Sequence, residues 1–368
     1  MNMSKGSLGV YVHVPFCRTK CPYCDFYSLT DESLIKDYVG GVCRELGLWG
    51  EKNDKTVDTI YFGGGTPSIL ATDDIIKILT AVRKNFRVSS NAEITLEINP
   101  ADTEFLDFER LRYSGLNRVS LGAQSLNDNQ LKILGRRHSA ADIKKSVNSL
   151  RRCNIDNISL DIILGVPEQT DKDIEHFVDF CVFNNIAHVS AYILKIEEGT
   201  PYYFNKNNLK FWGDDELVDF YDSACGLLKK YEYNHYEISN FAKKGFESRH
   251  NLKYWHLDDY LGVGPSAHSC VGGKRFYYEK NLKKFIYSPE VKYEPSDPEK
   301  EFVMLGLRTQ DGITDEKCQE KLGHDLPKLY FERAKKFEKY GLVECLEHGI
   351  KINETGLMVS NTIIAEII

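Results

Sequence analysis

Three cysteines stand close together near the start of the chain, at Cys17, Cys21 and Cys24 in the stretch HVPFCRTKCPYCDF. Their spacing is C-x3-C-x2-C, and no fourth cysteine follows close behind. Three thiolates on one loop can hold three irons of a cubane iron–sulfur cluster and leave the fourth iron without a protein ligand. A closed zinc site needs a fourth ligand, for which only His13 lies nearby. The spacing therefore favours an iron–sulfur cluster over zinc.

A glycine-rich turn, FGGGTP at residues 62–67, follows a strand-like segment. Glycines let the backbone approach a ligand closely and present its N–H and C=O groups. Alone, such a sequence is equally well explained as a plain tight turn. After a three-cysteine loop it indicates S-adenosylmethionine, whose amino and carboxylate groups can chelate the open iron.

Four polar side chains could complete that ligand site. Glu97, Gln124 and Asp161 lie at or near the ends of strand-like segments, and Arg136 lies between two of them. A carboxylate, an amide and a guanidinium supply acceptors for ribose hydroxyls and an ammonium group, and donors for a carboxylate. Each residue alone is more often a helix cap or a surface ion pair, so their shared placement is what favours a binding site.

A second compact motif, HNLKYW, occupies residues 250–255. An imidazole can ligate haem iron, and aromatic side chains can flank a macrocycle. A lone histidine is usually structural. The compression of His, Asn, Tyr and Trp into six residues keeps both interpretations of His250 open.

Six short apolar segments alternate with helical patterns in the first half of the chain. We interpret these segments as strands that are covered on both faces. The strand-like segments are residues 10–14, 59–62, 94–98, 118–122, 158–164 and 188–194, and the helical ones include 34–48, 73–85, 105–113, 140–152 and 171–183. This alternation predicts a parallel α/β sheet, either a partial curved barrel or an open doubly wound sheet. Because parallel strands end at one edge, we expect the motifs to converge on one cavity.

Three regions are expected. Residues 1–200 form the core barrel with the cluster and cofactor site, residues 201–297 a barrel-associated, aromatic-rich region with the HNxxYW motif, and residues 298–368 a small winged-helix-like domain.

Composition is that of an ordinary globular protein of 368 residues, with 42% hydrophobic and 27% charged residues. The net charge of −7 and the scattered Lys and Arg residues give no reason to expect a nucleic-acid partner. The start of the chain has no secretory pattern, and no apolar stretch is long enough to span a membrane. We therefore expect a cytoplasmic protein whose other cysteines are reduced thiols.

The motifs HVPFCRTKCPYCDF, FGGGTPS, SLGAQSLND, SLDIILGVPEQT and HNLKYW together resemble the radical-SAM superfamily. Within it they resemble the haem chaperones of the oxygen-independent coproporphyrinogen III oxidase-like family, over nearly the whole chain. The resemblance implies an α/β fold: a partial (β/α)6 TIM-like barrel of the radical-SAM type with a small C-terminal helical, winged-helix-like domain. It also implies a [4Fe-4S] cluster on the three cysteines, with S-adenosylmethionine on the fourth iron.

By motif position, the resemblance implies a set of S-adenosylmethionine contacts: Tyr11, Tyr23, Gly64, Gly65, Thr66, Glu97, Gln124, Arg136 and Asp161. The candidate haem contacts are His250, Asn251, Tyr254 and Trp255.

One departure from the decarboxylating oxidase bears on function. The motif of that enzyme continues with a further cysteine two residues past the third, and here that position is Phe26. We therefore expect a chaperone that binds haem and transfers it to acceptor proteins, with peripheral membrane association left open and no coproporphyrinogen turnover. The alternatives are oxidative decarboxylation of coproporphyrinogen III and radical-SAM chemistry on another substrate.

Overall fold

Six parallel strands form the centre of the molecule in the computed structural model, which describes residues 6–205 and 209–368. Each strand pairs with the next one along the chain. They are β1 (Leu8–Val14), β2 (Val57–Gly64), β3 (Val88–Ile98), β4 (Arg118–Gln124), β5 (Asn157–Leu164) and β6 (His188–Ile193). Each overlaps one predicted strand segment, so the predicted α/β class is confirmed.

Helices connect these strands and cover the sheet. They are α1 (Ile35–Gly50), α2 (Thr72–Asn85), α3 (Phe108–Tyr113), α4 (Asp128–Ile133), α5 (Ala140–Arg152) and α6 (Asp171–Phe183), with 3-10 turns at Pro67–Ile69 and Pro100–Phe105. The helix predicted from residue 105 begins only at Phe108, because the Asp107 side chain accepts a hydrogen bond from the Arg110 N–H and caps the helix there.

The sheet continues beyond the six parallel strands on both sides. The added strands are β7 (Asn234–Glu237), β8 (Asn240–Ala242), β9 (Tyr260–Val263), β10 (His268–Val271), β11 (Lys274–Tyr278) and β12 (Val291–Glu294). The full order is β12-β11-β10-β9-β1-β2-β3-β4-β5-β6-β8-β7. The sheet thus has two free edges, as a partial barrel requires, and it is not closed. The helices of this region are α7 (Pro201–Asn205), α8 (Asp214–Lys230), α9 (Arg249–Trp255) and α10 (Leu282–Tyr287).

The two faces of the parallel strands differ sharply. Alternate side chains of a strand point to opposite faces. One face packs against the helices and is apolar, with Val10, Val12, Ile60, Phe62, Leu96, Val119, Leu121, Ile158, Leu160 and Val189 all fully buried. The other face lines an interior space, here called the lumen. It carries Thr59, Tyr61, Glu93, Thr95, Glu97, Arg118, Ser120, Ser159, Asp161, His188 and Ser190. The expectation of strands that are apolar on both faces is therefore wrong, because the lumen side is polar.

The C-terminal part has its own small sheet, in the order β13-β15-β14. Its elements are α11 (Pro298–Gly306), β13 (Ile313–Thr314), α12 (Asp315–Leu322), α13 (Lys328–Glu338), β14 (Val343–Leu346), β15 (Gly349–Ile352), α14 (Glu354–Leu357) and α15 (Ser360–Ile367). A separate hydrophobic cluster, which includes Val303, Leu307, Ile350 and Ile364, holds it together. Strands β14 and β15 pair antiparallel as a hairpin, and the division at residues 200 and 297 stays a prediction.

Among the helices within residues 6–205 and 209–368, none combines the length and apolar character needed to cross a membrane.

Substitutions on the two faces of β3 should differ in their effect on stability. Leu96 and Thr95 are adjacent and neither has exposed surface. Leu96→Ala should lower the free energy of unfolding by about 2–5 kcal/mol, because it leaves a cavity beneath the helices. Thr95→Val should change it by less than about 1 kcal/mol, because no described group hydrogen-bonds to the buried Thr95 hydroxyl. Urea denaturation measures both, and equal losses would contradict the difference between the two faces of β3.

Candidate functional site

The three cysteines lie on a closed loop that follows β1. Phe16 and Leu29 form an isolated bridge. The Cys17 N–H donates to the Leu29 carbonyl (2.9 Å), and the Leu29 N–H donates to the Pro15 carbonyl (2.9 Å), so the ends of the loop are tied together. All three cysteines are free thiols, with Cys17 buried and the other two partly exposed.

The cysteine side chains do not surround one point. Within the described residues, no three His, Cys, Asp or Glu side chains are placed to hold a single metal ion. A tetrahedral zinc site needs such convergence. In a cubane cluster each cysteine binds a different iron, so convergence on one point is not needed.

Two of the cysteine sulfurs accept hydrogen bonds from predicted site residues. The Thr66 hydroxyl donates to Cys17 Sγ at 3.2 Å. Arg136 Nη1 lies 3.6 Å from Cys21 Sγ and 3.4 Å from the Tyr23 hydroxyl. A donor or a positive charge beside a sulfur favours the thiolate, which is the form that binds metal.

The glycine turn is packed directly against the cysteine loop. The Gly65 N–H donates to the Val14 carbonyl and the Thr66 N–H to the Phe16 carbonyl, both at 2.8 Å. A Cβ added at Gly65 would lie 2.6 Å from the Phe16 carbonyl oxygen and 3.1 Å from Cys17 Sγ. Only glycine permits this approach, so the turn and the loop form one unit.

A cavity of about 610 Å³ opens at the carboxyl ends of the parallel strands, beside the cysteine loop. Its lining includes the predicted contact residues Tyr23, Gly64, Gly65, Thr66, Glu97, Gln124, Arg136 and Asp161. Tyr11 is not part of that lining, and its hydroxyl bonds to His13 Nδ1 at 3.1 Å instead. The expected convergence is therefore observed, while the roles of these residues as cofactor contacts stay predictions.

Sequence reasoning did not find several other residues that line the cavity. They are Asp25, Ser120, Ile163, Tyr192, Ile193, Leu194, Lys195 and Glu197, among others. A two-residue step along the strand from Asp161 would have found Ile163, because alternate residues share a face. Ser120 is the neighbour of Glu97 on the adjacent strand, which only the strand register reveals.

Two carboxyl groups face the cavity in a poorly solvated setting. Burial raises the pKa of Glu97 from 4.5 to about 7, with a further contribution from the nearby Asp161, while a hydrogen bond from the Tyr61 hydroxyl (2.8 Å) opposes the rise. Burial also raises the pKa of Asp161, from 3.8 to about 6, against hydrogen bonds from Ser190 and Ser120. Desolvation disfavours the ionised form of both groups. A cationic ligand would restore it.

Gln124 sits at a strained point of the cavity wall. Its φ is +68°, which is uncommon for a residue with a side chain. The strand register between β4 and β5 also shifts between Leu121 and Gln124. Such strain is often found at ligand sites, where it aims a side chain.

A single buried carboxylate connects the cysteine loop, the segment after the glycine turn and the residue that follows Arg136. Asp102 is fully buried, and it accepts a hydrogen bond from Arg137 Nη2 at 2.7 Å and one from Ser68 Oγ at 3.0 Å. Arg18 Nε lies 3.5 Å from the same carboxylate. Arg18 follows Cys17, so Asp102 fixes the cysteine loop relative to the cavity.

The HNLKYW motif lies away from the cavity. His250 is 1% exposed, and both ring nitrogens are occupied, Nδ1 by the Thr59 hydroxyl and Nε2 by the Tyr254 hydroxyl, each at 2.8 Å. Thr59 lies near the start of β2, at the end opposite the cavity. In this conformation neither nitrogen of His250 is free to ligate an iron, so the geometry gives no support to this candidate haem ligand.

Other contacts of α9 also fasten it to the strands. The Arg249 and His250 N–H groups donate to the Glu93 carboxylate at 3.1 and 3.0 Å. The buried Lys253 pairs with Asp58 at 2.9 Å. The motif thus closes the amino-terminal end of the lumen. Asn251, Tyr254 and Trp255 are partly exposed, and their assignment as haem contacts stays a prediction.

Comparison with known proteins bears on this site. Residues 11–181 match the radical SAM superfamily, and residues 293–359 match the HemN C-terminal domain. A protein named heme chaperone HemW from Bacillus subtilis is 30% identical over 367 residues, which span 96% of this chain and 97% of that protein. A protein of the same name from Synechocystis is 35% identical over 325 residues, which span 83% of this chain and 78% of that protein.

A solved structure shares the fold over the whole chain. Coproporphyrinogen III oxidase (HemN) from Escherichia coli matches with a TM-score of 0.83 and 19% identity, over 100% of this chain and 91% of that one. The fold and the matched region define a radical-SAM protein, a class that implies a [4Fe-4S] cluster and S-adenosylmethionine. Within that class, the chain belongs to the HemW family.

The raised pKa of Glu97 predicts that replacing this residue with neutral glutamine stabilises the folded protein, and that this gain is larger at high pH than at low pH. A carboxyl whose pKa is higher in the folded state contributes stability below its unfolded pKa of 4.5, and that stability is lost as the pH rises through about 7. In cofactor-free protein, Glu97→Gln should therefore be more stable than the unchanged chain at pH 8, by about 1–3 kcal/mol. The advantage should shrink towards pH 5.

Urea denaturation at both pH values measures this difference, with Glu104→Gln as the control because Glu104 is exposed. An equal effect of Glu97→Gln at pH 5 and pH 8 would show that Glu97 is not held in a desolvated setting.

Proposed function

We propose that the chain is a haem chaperone built on a radical-SAM frame, which binds haem and passes it to haem-accepting proteins. The cysteine loop beside the cavity carries the cofactor part of this proposal. The near full-length similarity to proteins named heme chaperone HemW carries the haem part.

The residues present fit a [4Fe-4S] cluster. Cys17, Cys21 and Cys24 are free thiols on one tied loop, and Thr66 and Arg136 supply donors to two of the sulfurs. Three cysteines would hold three irons and leave the fourth iron without a protein ligand. Hydrogen bonds to cluster sulfurs tune the reduction potential, so Thr66 and Arg136 would also set that property.

The cavity suits S-adenosylmethionine in size and in charge. A volume of about 610 Å³ lies within the range of small-molecule sites. S-adenosylmethionine carries a sulfonium, an ammonium and a carboxylate. Glu97 and Asp161 would accept hydrogen bonds from the ribose and ammonium groups, and Arg136 would bind the carboxylate. When bound to a reduced cluster, this cofactor supplies one-electron radical chemistry.

The chaperone function is favoured over coproporphyrinogen oxidation. Phe26 occupies the position of the further cysteine in the oxidase motif, and it lines the cavity while remaining 67% exposed. The likeness to the oxidase structure, at 19% identity, concerns the fold alone. We therefore expect no catalytic conversion of coproporphyrinogen III.

The cluster ligands are tested by single substitutions. Cys17→Ser, Cys21→Ser and Cys24→Ser should each abolish the charge-transfer absorbance at about 400 nm in anaerobically reconstituted protein. Cys43→Ser should retain it, because Cys43 lies on α1, away from the loop. The same loss in Cys43→Ser would make the ligand assignment wrong.

Haem binding is tested by titration followed at the Soret band. We expect saturation at about one haem per chain, and an absence of stoichiometric binding would refute the chaperone proposal. A parallel reaction with reductant, S-adenosylmethionine and coproporphyrinogen III distinguishes the alternative. Protoporphyrinogen formed with turnover would establish an oxidase.

His250 gives a separate prediction. Because both of its nitrogens are engaged within the chain, His250→Ala should leave the Soret maximum of the haem-loaded protein unchanged. It should lower the free energy of unfolding by about 2–4 kcal/mol, through the lost hydrogen bonds and packing. His348→Ala, at an exposed position, is the control. A shifted Soret maximum in His250→Ala alone would show that α9 opens to let the imidazole reach the iron.

A further inference from the structure

A line of polar side chains leads from the cavity through the lumen. Asp161 lines the cavity, and Ser190 is its direct neighbour on β6, so the Ser190 hydroxyl lies on the same face of the sheet as the Asp161 carboxyl group. Ser190 Oγ lies 3.4 Å from Ser159 Oγ, which lies 2.7 Å from His188 Nδ1. His188 Nε2 then lies 2.8 Å from the Tyr236 hydroxyl. The hydrogen bonds are continuous from Ser190 to Tyr236 on β7, and Ser190 is the strand neighbour of the carboxyl group that lines the cavity.

Every intermediate group in this line can both donate and accept a proton. Serine and tyrosine hydroxyls have this property, as does a neutral imidazole. Burial holds the pKa of His188 well below its usual range, so its ring is neutral, with one donor and one acceptor nitrogen. Ser159, His188 and Ser190 are buried, and Tyr236 is the first partly exposed member of the line. The Tyr236 hydroxyl also accepts a hydrogen bond from the Ser248 N–H at 3.1 Å, which leaves its own proton free to be donated outwards.

Because Asp161 lines the cavity, the line of hydroxyl and imidazole groups could carry a proton away from it. A ligand bound in the cavity would lie against the Asp161 carboxyl group, which is part of its lining. We propose that Ser190, Ser159, His188 and Tyr236 form a proton path between Asp161 and solvent, which operates when S-adenosylmethionine covers the cavity. This inference rests on the proposed function for the identity of the ligand.

The transfer is balanced at each step. One proton leaves the Asp161 carboxyl group, and Ser190 and Ser159 each receive one proton and release another. His188 accepts a proton at Nδ1 and releases one from Nε2, which exchanges its tautomer. Tyr236 delivers one proton to water. The net change is one proton moved from the carboxyl group to solvent.

The groups that face Asp161 show why ligand binding would release a proton. They come from several elements: Glu97 on β3, Arg118 and Ser120 on β4, Arg136 after α4, and Ser190 and Tyr192 on β6. With a pKa of about 6, Asp161 is partly protonated at pH 6 in the ligand-free protein. A ligand that brings a sulfonium and an ammonium group favours the carboxylate. The displaced proton then needs a route out.

Two substitutions interrupt the path with little change of shape. Ser159→Ala removes the central hydroxyl, and Tyr236→Phe removes the exit hydroxyl. The matched controls are Ser146→Ala and Tyr233→Phe. Ser146 is fully buried and bonds to Thr103, and Tyr233 is buried and donates to the Ile186 carbonyl, so both lie outside the path.

The experiment is a stopped-flow measurement on the full chain with its cluster, mixed anaerobically with S-adenosylmethionine in weak buffer at pH 6. Intrinsic fluorescence reports ligand binding, and a pH indicator reports proton release. In the unchanged chain and both controls, proton release should coincide with binding. In Ser159→Ala and Tyr236→Phe, binding should be unchanged, while part of the proton release lags by about tenfold or more.

The outcomes separate the two hypotheses. Prompt release of all protons in both path variants would overturn the proton path and leave the proposed function standing. Binding of S-adenosylmethionine to the unchanged chain without any proton release would also overturn the proton path and leave the proposed function standing. No binding of S-adenosylmethionine by the unchanged chain would overturn the proposed function, and the proton path with it.

Discussion

The period-two alternation of the parallel strands is the constraint on which the rest of the structure depends. Each strand sends one set of side chains into the apolar layer beneath the helices and the other set into the lumen. The apolar set supplies the core, with Leu96 and Leu160 fully buried. The polar set is thereby free to carry chemistry. Because all six strands run the same way, their carboxyl ends meet at one edge, where the cysteine loop, the glycine turn and the two carboxyl groups surround one cavity.

Burying polar groups in the lumen costs free energy, and the same burial affects how the site would bind a ligand. Burial disfavours ionisation of Glu97 and Asp161, and it keeps His188 neutral. The same low solvation strengthens the attraction of these carboxyl groups for a cationic ligand. The fold therefore tolerates groups that are poorly satisfied in the empty cavity, and they gain partners when it fills. The apolar opposite face compensates for this cost, because it makes the larger hydrophobic contribution to stability.

Local signals predicted the parts of the molecule that depend on local chemistry. The cysteine spacing and the FGGGTP turn located the site, since close backbone approach is possible only at positions such as Gly65. The strand–helix alternation predicted the sheet. The polar lumen departs from the usual pattern of parallel sheets, in which both faces of a strand are apolar, and for that reason it was not predicted. The sequence also left His250 open as a candidate haem contact, because its hydrogen bonds to Thr59 and Tyr254 depend on tertiary packing. Asp102 went unnoticed for the same reason, since its partners come from distant segments.

The central claim is that the cysteine loop holds a cluster whose open iron faces a cavity for S-adenosylmethionine. Electron paramagnetic resonance of the reduced cluster tests it most directly, because the signal responds to the ligands of the cluster irons. Addition of S-adenosylmethionine to the reduced protein should change the g-values of the cluster signal. A cluster signal that stays the same at saturating S-adenosylmethionine would contradict the account.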